Sequence, residues 1–128
     1  MRVQPHRVRY LETDSQGVVF NMWYLGWCDE ACADFLEEIG AGYEALLDGG
    51  FDFHVVHAEL DWSSPLRARE VADLAVTCEK VGTTSFTLRT DITSAGRAVA
   101  SVRVVYIGVD ATGSPTPFPG ALRARLVA

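Results

Sequence analysis

Cysteine is scarce in this chain of 128 residues: Cys28, Cys32 and Cys78 are an odd three. A disulfide-stapled scaffold is therefore excluded. Cys28 and Cys32 stand one helical turn apart with no second pair to complete a zinc site, and they read as small apolar residues of a reducing interior. Long hydrophobic runs are also missing. Nothing approaches the ~18 consecutive apolar residues of a membrane span, and the polar start MRVQPHRVRYLETD has no signal-peptide core. A soluble cytoplasmic protein is the expectation. Positive charge is in short supply, with 11 Lys+Arg against 17 Asp+Glu and a net charge of −6. That balance argues against a nucleic-acid partner or an anionic membrane surface, and it requires any anionic ligand to be met by a few local groups. Repeats, low-complexity tracts and Pro/Gly/Ser-rich linkers are absent, so residues 1–128 read as a single domain. Only the stretch from Gly113 to Gly120, with three prolines, reads as a tail or edge loop.

What is present suffices for a core. The chain is 48% hydrophobic, and a domain of this length buries roughly two-thirds of its unfolded surface without staples. Between Asn21 and Gly40, the residues Tyr24, Trp27, Cys28, Ala31, Cys32, Phe35, Leu36 and Ile39 recur at helical spacing. Asp29, Glu30, Asp34, Glu37 and Glu38 fall between them. Asn21 suits the N-cap and Gly40 a left-handed stop, for a helix roughly 27 Å long. A shorter helical stretch, Tyr43 to Leu47, runs into a turn at Asp48-Gly49-Gly50.

The period then changes to two. Val56, Ala58, Leu60 and Trp62 alternate with His57, Glu59 and Asp61 up to Ser63-Ser64-Pro65. Ala72, Leu74, Val76 and Cys78 form a second strand, and Gly82 turns it into a third carrying Phe86, Leu88, Thr90 and Ile92. Ala95-Gly96 leads into the longest run, Arg97 to Asp110, which suits a central or interface strand. Val99, Val105, Ile107 and Val109 are expected on its face away from the helix. With a short first strand, His6 to Tyr10, the order is strand, long helix, four strands: an α+β fold with one helix against a mostly antiparallel five-stranded sheet. One helix covers one face, so oligomerisation is expected to hide part of the other.

Chemistry is concentrated between the first strand and the helix. Asp14 sits in a loop that passes through Gly17 and an apolar triplet into the helix N-terminus, whose free N–H groups and positive dipole end suit a developing oxyanion. An Asp at such a place equally suits an Asx turn or a cap. The run from Arg9 to Tyr24, with its D-x-x-G-V-V-F-x-x-x-Y segment, resembles the signature of the 4-hydroxybenzoyl-CoA thioesterase-like and YbgC-like hotdog-fold acyl-CoA thioesterases. The similarity continues through Ala58 to Arg67 and the Gly82-Thr83-Thr84-Ser85-Phe86 turn.

The resemblance implies a hotdog fold, a sheet wrapped around a long central helix, with subunits joining their sheets and acyl-CoA lying between them. It makes Asp14 the catalytic carboxylate, as nucleophile or general base, and the Asn21 amide the donor that polarises the thioester carbonyl. Gly17 becomes the tight-turn residue and Tyr24 an aromatic beneath the substrate. It implies a homo-oligomer, a dimer or a homotetramer built of dimers, that needs no metal and no cofactor beyond the coenzyme A of its substrate. A thioester is electrophilic enough for one carboxylate with preorganised donors to suffice, and no serine stands in a G-x-S-x-G elbow.

Two departures are visible. Asn21 stands where relatives carry His or Tyr, which bears on acyl preference. The Gly82-Thr83-Thr84 turn lacks the basic residues that relatives use for coenzyme A phosphates, leaving Thr83, Thr84 and Ser85 with Arg67 and Arg69 as candidate contacts; Lys80 and Arg89 are the next basic residues. His54 and His57 are expected on opposite faces of a strand, so no shared metal is expected, while His57 is a candidate for the acyl pocket. Phe20, Trp23, Trp27, Phe51 and Phe53 are candidate acyl-site aromatics as well as ordinary core. The expected activity is hydrolysis of a small or medium acyl-CoA. The alternatives are a thioesterase for carrier-protein-bound acyl chains, which an acidic subunit disfavours for an acidic carrier, and a non-catalytic acyl-CoA-binding hotdog domain. A hotdog dehydratase fits less well, because no matching motif supplies its histidine.

Overall fold

The structure, a computed structural model, describes residues 1–42 and 50–127. The expected helix at Tyr43–Leu47 and the Asp48-Gly49 step after it lie outside the described residues. The elements are β1 (Arg2–Arg7), a 3-10 turn (Tyr10–Glu12), α1 (Met22–Glu38), β2 (Phe51–Trp62), β3 (Val71–Val81), β4 (Ser85–Ser94), β5 (Arg97–Asp110) and α2 (Gly120–Val127). The strands form one sheet in the order β1-β3-β4-β5-β2. Every neighbouring pair is antiparallel.

The apolar stripe of α1 is what the sheet covers. Tyr24, Trp27, Cys28, Ala31, Cys32, Phe35 and Leu36 are all buried, and Ile39 packs at the margin. At 1.5 Å per residue its 17 residues span about 26 Å. Gly40, with φ +82°, lets the chain leave the helix in the left-handed region. Asn21 occupies the N-cap position but does not cap: its own dihedrals are helical and its side chain makes no cap bond. The chain enters the helix from a tight turn in which the Trp23 N–H donates to the Phe20 carbonyl, so the extended conformation a capping side chain needs is not available.

β4 alternates as its sequence dictates, with Phe86, Leu88, Thr90 and Ile92 buried. β5 lies between β4 and β2, so both its edges are paired. Val102, Val104 and Tyr106 face α1, whereas Val105 and Ile107 stay half-exposed on the other side. Val99 and Val109, expected on that outer side, are both buried by other parts of the chain. The carbonyl of Val99 accepts the N–H groups of Ser63 and Ser64, which fold over it, and Val109 is covered by the returning chain through a bridge to Pro115.

β2 departs from simple alternation. A bulge between Val55 and His57 leaves Val56 exposed, and Ala58, Leu60 and Trp62 then pair opposite Val104, Val102 and Ala100 on the α1 side. The same bulge overturns the expectation for the two histidines. His54 pairs with Ile107 and His57 with Val105, and these partners are two apart on one strand, so both histidines share the outer face.

The tail holds an element that the turn residues concealed. After the Thr116 N–H bonds the Gly108 carbonyl and Phe118 buries, α2 forms with Leu122 and Leu126 on its buried side and packs on β3. Its signal was the i, i+4 leucine pair following Pro119-Gly120. Cys28 and Cys32 sit at the centre of the core; burial pushes the Cys28 thiol up to about 12 and the Cys32 thiol in the same direction, so both are inert packing groups.

Candidate active site

Asp14 belongs to a loop pinned at several levels. The Phe20 N–H donates to the Glu12 carbonyl (2.9 Å), Thr13 bridges Val19, and the Asp14 N–H donates to the Val18 carbonyl (2.9 Å). Gly17 supplies the φ of +76° at the tip, where its N–H returns to the Asp14 carbonyl. The half-buried Asp14 carboxylate uses Oδ1 to accept the Gln16 N–H at 2.9 Å, an Asx turn, while Oδ2 has no partner among the described residues. The two readings open for this aspartate are thus compatible. One oxygen holds the loop and the other is free.

The loop ends where α1 begins, beside a cavity of about 450 Å³ lined by Val19, Asn21, Tyr24, Trp62, Ser63, Ser64 and Pro65. Among the described residues, no backbone carbonyl accepts the Asn21 N–H. Tyr24 is buried at the base of the cavity, with Trp62 edge-on at 6.2 Å between centroids, and burial holds its phenol above the ordinary tyrosine range. The far wall is fixed by Arg97, whose guanidinium donates to Ser64 Oγ, the Pro65 carbonyl and Glu70. Sequence alone does not mark Trp62 to Pro65 as site residues, because a strand ending in Ser-Ser-Pro reads simply as a stop.

The other sequence candidates divide. Arg67 reaches the loop, with Nη1 3.4 Å from the Gly17 carbonyl. Arg69 lies one turn beyond in a left-handed conformation, φ 73°, with its N–H on the Val8 carbonyl and its side chain in solvent. Thr83, Thr84 and Ser85 are elsewhere: they lie past the far end of β3, whose eleven residues run roughly 33 Å from the Arg67–Arg69 turn. His57 does not line the cavity; its Nε2 lies 2.9 Å from Glu59 Oε1. The aromatics also separate, with Phe51 and Phe53 joining Phe86, Tyr106 and Phe118 in a different cluster and Trp27 in the core. Among the described residues no group of three His, Cys, Asp or Glu side chains gathers to hold a metal, and no helix is long and apolar enough to cross a membrane.

One residue that composition could not reveal anchors the loop. Glu12, in the turn before Asp14, is fully buried, and it is the one charged side chain so buried among the described residues. Oε1 accepts the Arg9 N–H at 2.8 Å and lies 2.9 Å from His6 Nε2; Oε2 accepts Trp27 Nε1–H at 2.6 Å and Arg9 Nη2 at 3.3 Å. Burial alone pushes this carboxyl up. The hydrogen bonds from the Arg9 backbone, His6, Trp27 and the Arg9 side chain outweigh it and bring the group to about 2.

A lowered carboxylate pKa contributes stability that is complete above the unfolded value and lost as pH falls through the folded one. Between about pH 4.5 and about pH 2 the protein is therefore expected to lose on the order of 3 kcal/mol through Glu12. Urea midpoints measured across that range test this. The acid loss should be clearly smaller in a Glu12→Gln variant, and an equal slope in both proteins would assign the loss to other carboxylates.

A long helix with its apolar stripe against one five-stranded antiparallel sheet, and its N-terminus at a cavity next to an aspartate loop, defines the α+β hotdog class. The chain belongs to the Thioesterase-like superfamily, which matches residues 8–126. It is similar to a 1,4-dihydroxy-2-naphthoyl-CoA hydrolase from Synechococcus sp. (strain CC9902), with 27% identity over 113 residues, 84% of this chain and 76% of the relative. Among solved structures it is similar to a gentisyl-coenzyme A thioesterase, with 28% identity and a TM-score of 0.87 over 98% of this chain and 99% of the other. An Aquifex aeolicus hypothetical protein superposes at a TM-score of 0.90 with 25% identity, over 98% and 99% of the two chains.

Proposed function

We propose that this protein hydrolyses the thioester of a small or medium acyl-CoA, with Asp14 as nucleophile or general base and the Asn21 amide as donor to the carbonyl oxygen. One observation carries the reading: the cavity is lined by Tyr24 and Trp62 and by Asn21, the N-cap position of α1, where the Asp14 loop ends. A thioester carbonyl oxygen gains negative charge as it is attacked, and a helix N-terminus answers that charge with oriented N–H groups and a dipole that need no reorganisation. Flat aromatic walls favour an aromatic acyl group, in keeping with relatives named for gentisyl-CoA and dihydroxynaphthoyl-CoA.

In this reading Gly17 lets the loop come close to the substrate, and Arg67, which reaches the Gly17 carbonyl, supplies charge for the coenzyme A phosphates together with Arg69 two residues on. Thr83, Thr84 and Ser85 join the same ligand only from a second copy of the chain. Support for such a copy comes from β2, which among the described residues pairs only with β5 and carries exposed Val55, Val56 and Trp62 on or near its other edge. The enzyme then works as a dimer or tetramer on the cytoplasmic pool of CoA esters, and coenzyme A enters only as part of the substrate.

Release of free thiol from acetyl-, hexanoyl-, palmitoyl-, benzoyl- and 1,4-dihydroxy-2-naphthoyl-CoA tests the proposal. Turnover is expected, fastest on the aromatic esters. Coenzyme A binding with no hydrolysis of any ester would overturn it in favour of a binding domain, and hydrolysis only of carrier-protein-bound chains would move the substrate class.

A further inference from the structure

We infer that Glu12 is a positioning residue for hydrolysis, holding the Asp14 loop and the start of α1 in register through one buried carboxylate; this rests on the roles proposed above for Asp14 and Asn21. The donors that meet Glu12 come from three elements. His6 lies on β1, Arg9 just before the 3-10 turn, and Trp27 in the second turn of α1. Meanwhile the Glu12 carbonyl takes the Phe20 N–H, which closes the base of the loop one residue before Asn21. Asp14 follows Glu12 by two residues. A shift of this carboxylate therefore moves the aspartate, the loop base and the helix start relative to one another.

The burial makes the arrangement stringent. A carboxylate removed from water persists only when its lone pairs are met, and here both oxygens receive donors. An amide in its place cannot satisfy the set, because its NH2 must face a fixed donor whichever way it turns: the Arg9 N–H on one side, Trp27 Nε1–H on the other. The side chain retains its size while the loop is pushed off its post. Misplacement of reacting groups by about 1 Å costs on the order of 100-fold in rate, whereas binding contacts remote from the reacting atoms change little.

The test is steady-state kinetics on benzoyl-CoA with the parent, Glu12→Gln, Trp27→Phe and, as a control, Leu126→Ala in the core beneath α2, each at a temperature where circular dichroism shows it folded. Glu12→Gln is expected to lower kcat by about 10- to 100-fold with KM within about threefold, and Trp27→Phe to act in the same sense by about 3- to 10-fold. Leu126→Ala should retain kcat within about twofold despite its lost packing. A Glu12→Gln kcat within about twofold of the parent, or an equal kcat loss in Leu126→Ala, would overturn the inference. If Glu12→Gln fails to fold, Trp27→Phe decides, since it removes one donor and leaves the carboxylate: an unchanged kcat overturns the proposal. An inactive Asp14→Asn beside an unaltered Glu12→Gln defeats only the positioning role, whereas an active Asp14→Asn defeats the reading on which it rests.

Discussion

An Asp14→Asn variant is expected to lose at least about 1,000-fold in kcat on an acyl-CoA ester while its affinity for coenzyme A stays within about twofold. The asparagine is nearly isosteric, and its side-chain oxygen can still accept the Gln16 N–H that Asp14 Oδ1 accepts at 2.9 Å, so the Asx turn and the loop survive. What disappears is the charged, basic oxygen, Oδ2, which is free of partners among the described residues. An amide neither attacks a carbonyl nor removes a proton from water at neutral pH. A factor of 1,000 corresponds to about 4 kcal/mol of transition-state stabilisation, within the range a nucleophile or general base contributes. Initial rates of thiol release and calorimetric coenzyme A titration measure the two halves of the expectation. Turnover at parental rates would remove Asp14 from the mechanism. Single turnover of the parent in labelled water separates its two roles, because label in the Asp14 carboxylate requires a covalent acyl-enzyme.

Replacement of Phe86 by Ala is expected to have the largest effect on stability, about 3 to 5 kcal/mol. Phe86 is 1% exposed on β4, the middle strand. Its ring stacks on Tyr106 of β5 with centroids 5.1 Å apart, and meets Phe53 of β2 and Phe118 ahead of α2 edge-on at 4.8 and 5.9 Å. One truncation thus opens a void among four parts of the fold. Against a total stability of roughly 5 to 15 kcal/mol for a domain, the loss would be severe. Urea unfolding checks the figure, and a change below about 1 kcal/mol would show that the cluster repacks.

Much of this fold was legible in the order of residues because it depends on short-range periodicity. The α1 stripe from Tyr24 to Leu36 and the β4 alternation from Phe86 to Ile92 are properties of neighbours along one element, and those patterns leave few alternatives. The resemblance of the Asp14 to Tyr24 segment likewise pointed to the loop and helix start. Periodicity failed where a partner decides. The bulge after Val55 turned His54 and His57 to one face, and chain segments distant in sequence covered Val99 and Val109. Turn-forming residues before Gly120 also hid α2, whose burial depends on β3 being there to receive Leu122 and Leu126.

The site divides in the same way. Asn21 and Tyr24 line the cavity and Asp14 and Gly17 belong to the loop that leads into it; their closeness along the chain and the α+β order around them follow from the sequence by itself. Tertiary structure alone decided that Trp62 to Pro65 wall the cavity, that Thr83 to Ser85 lie at the far end of the sheet, and that Glu12 is buried. In sequence Glu12 is one acidic residue among 17. It becomes a buried post only because β1, the 3-10 turn and α1 converge with donors on both its oxygens, and the energy of a buried charge is set by what surrounds it in space.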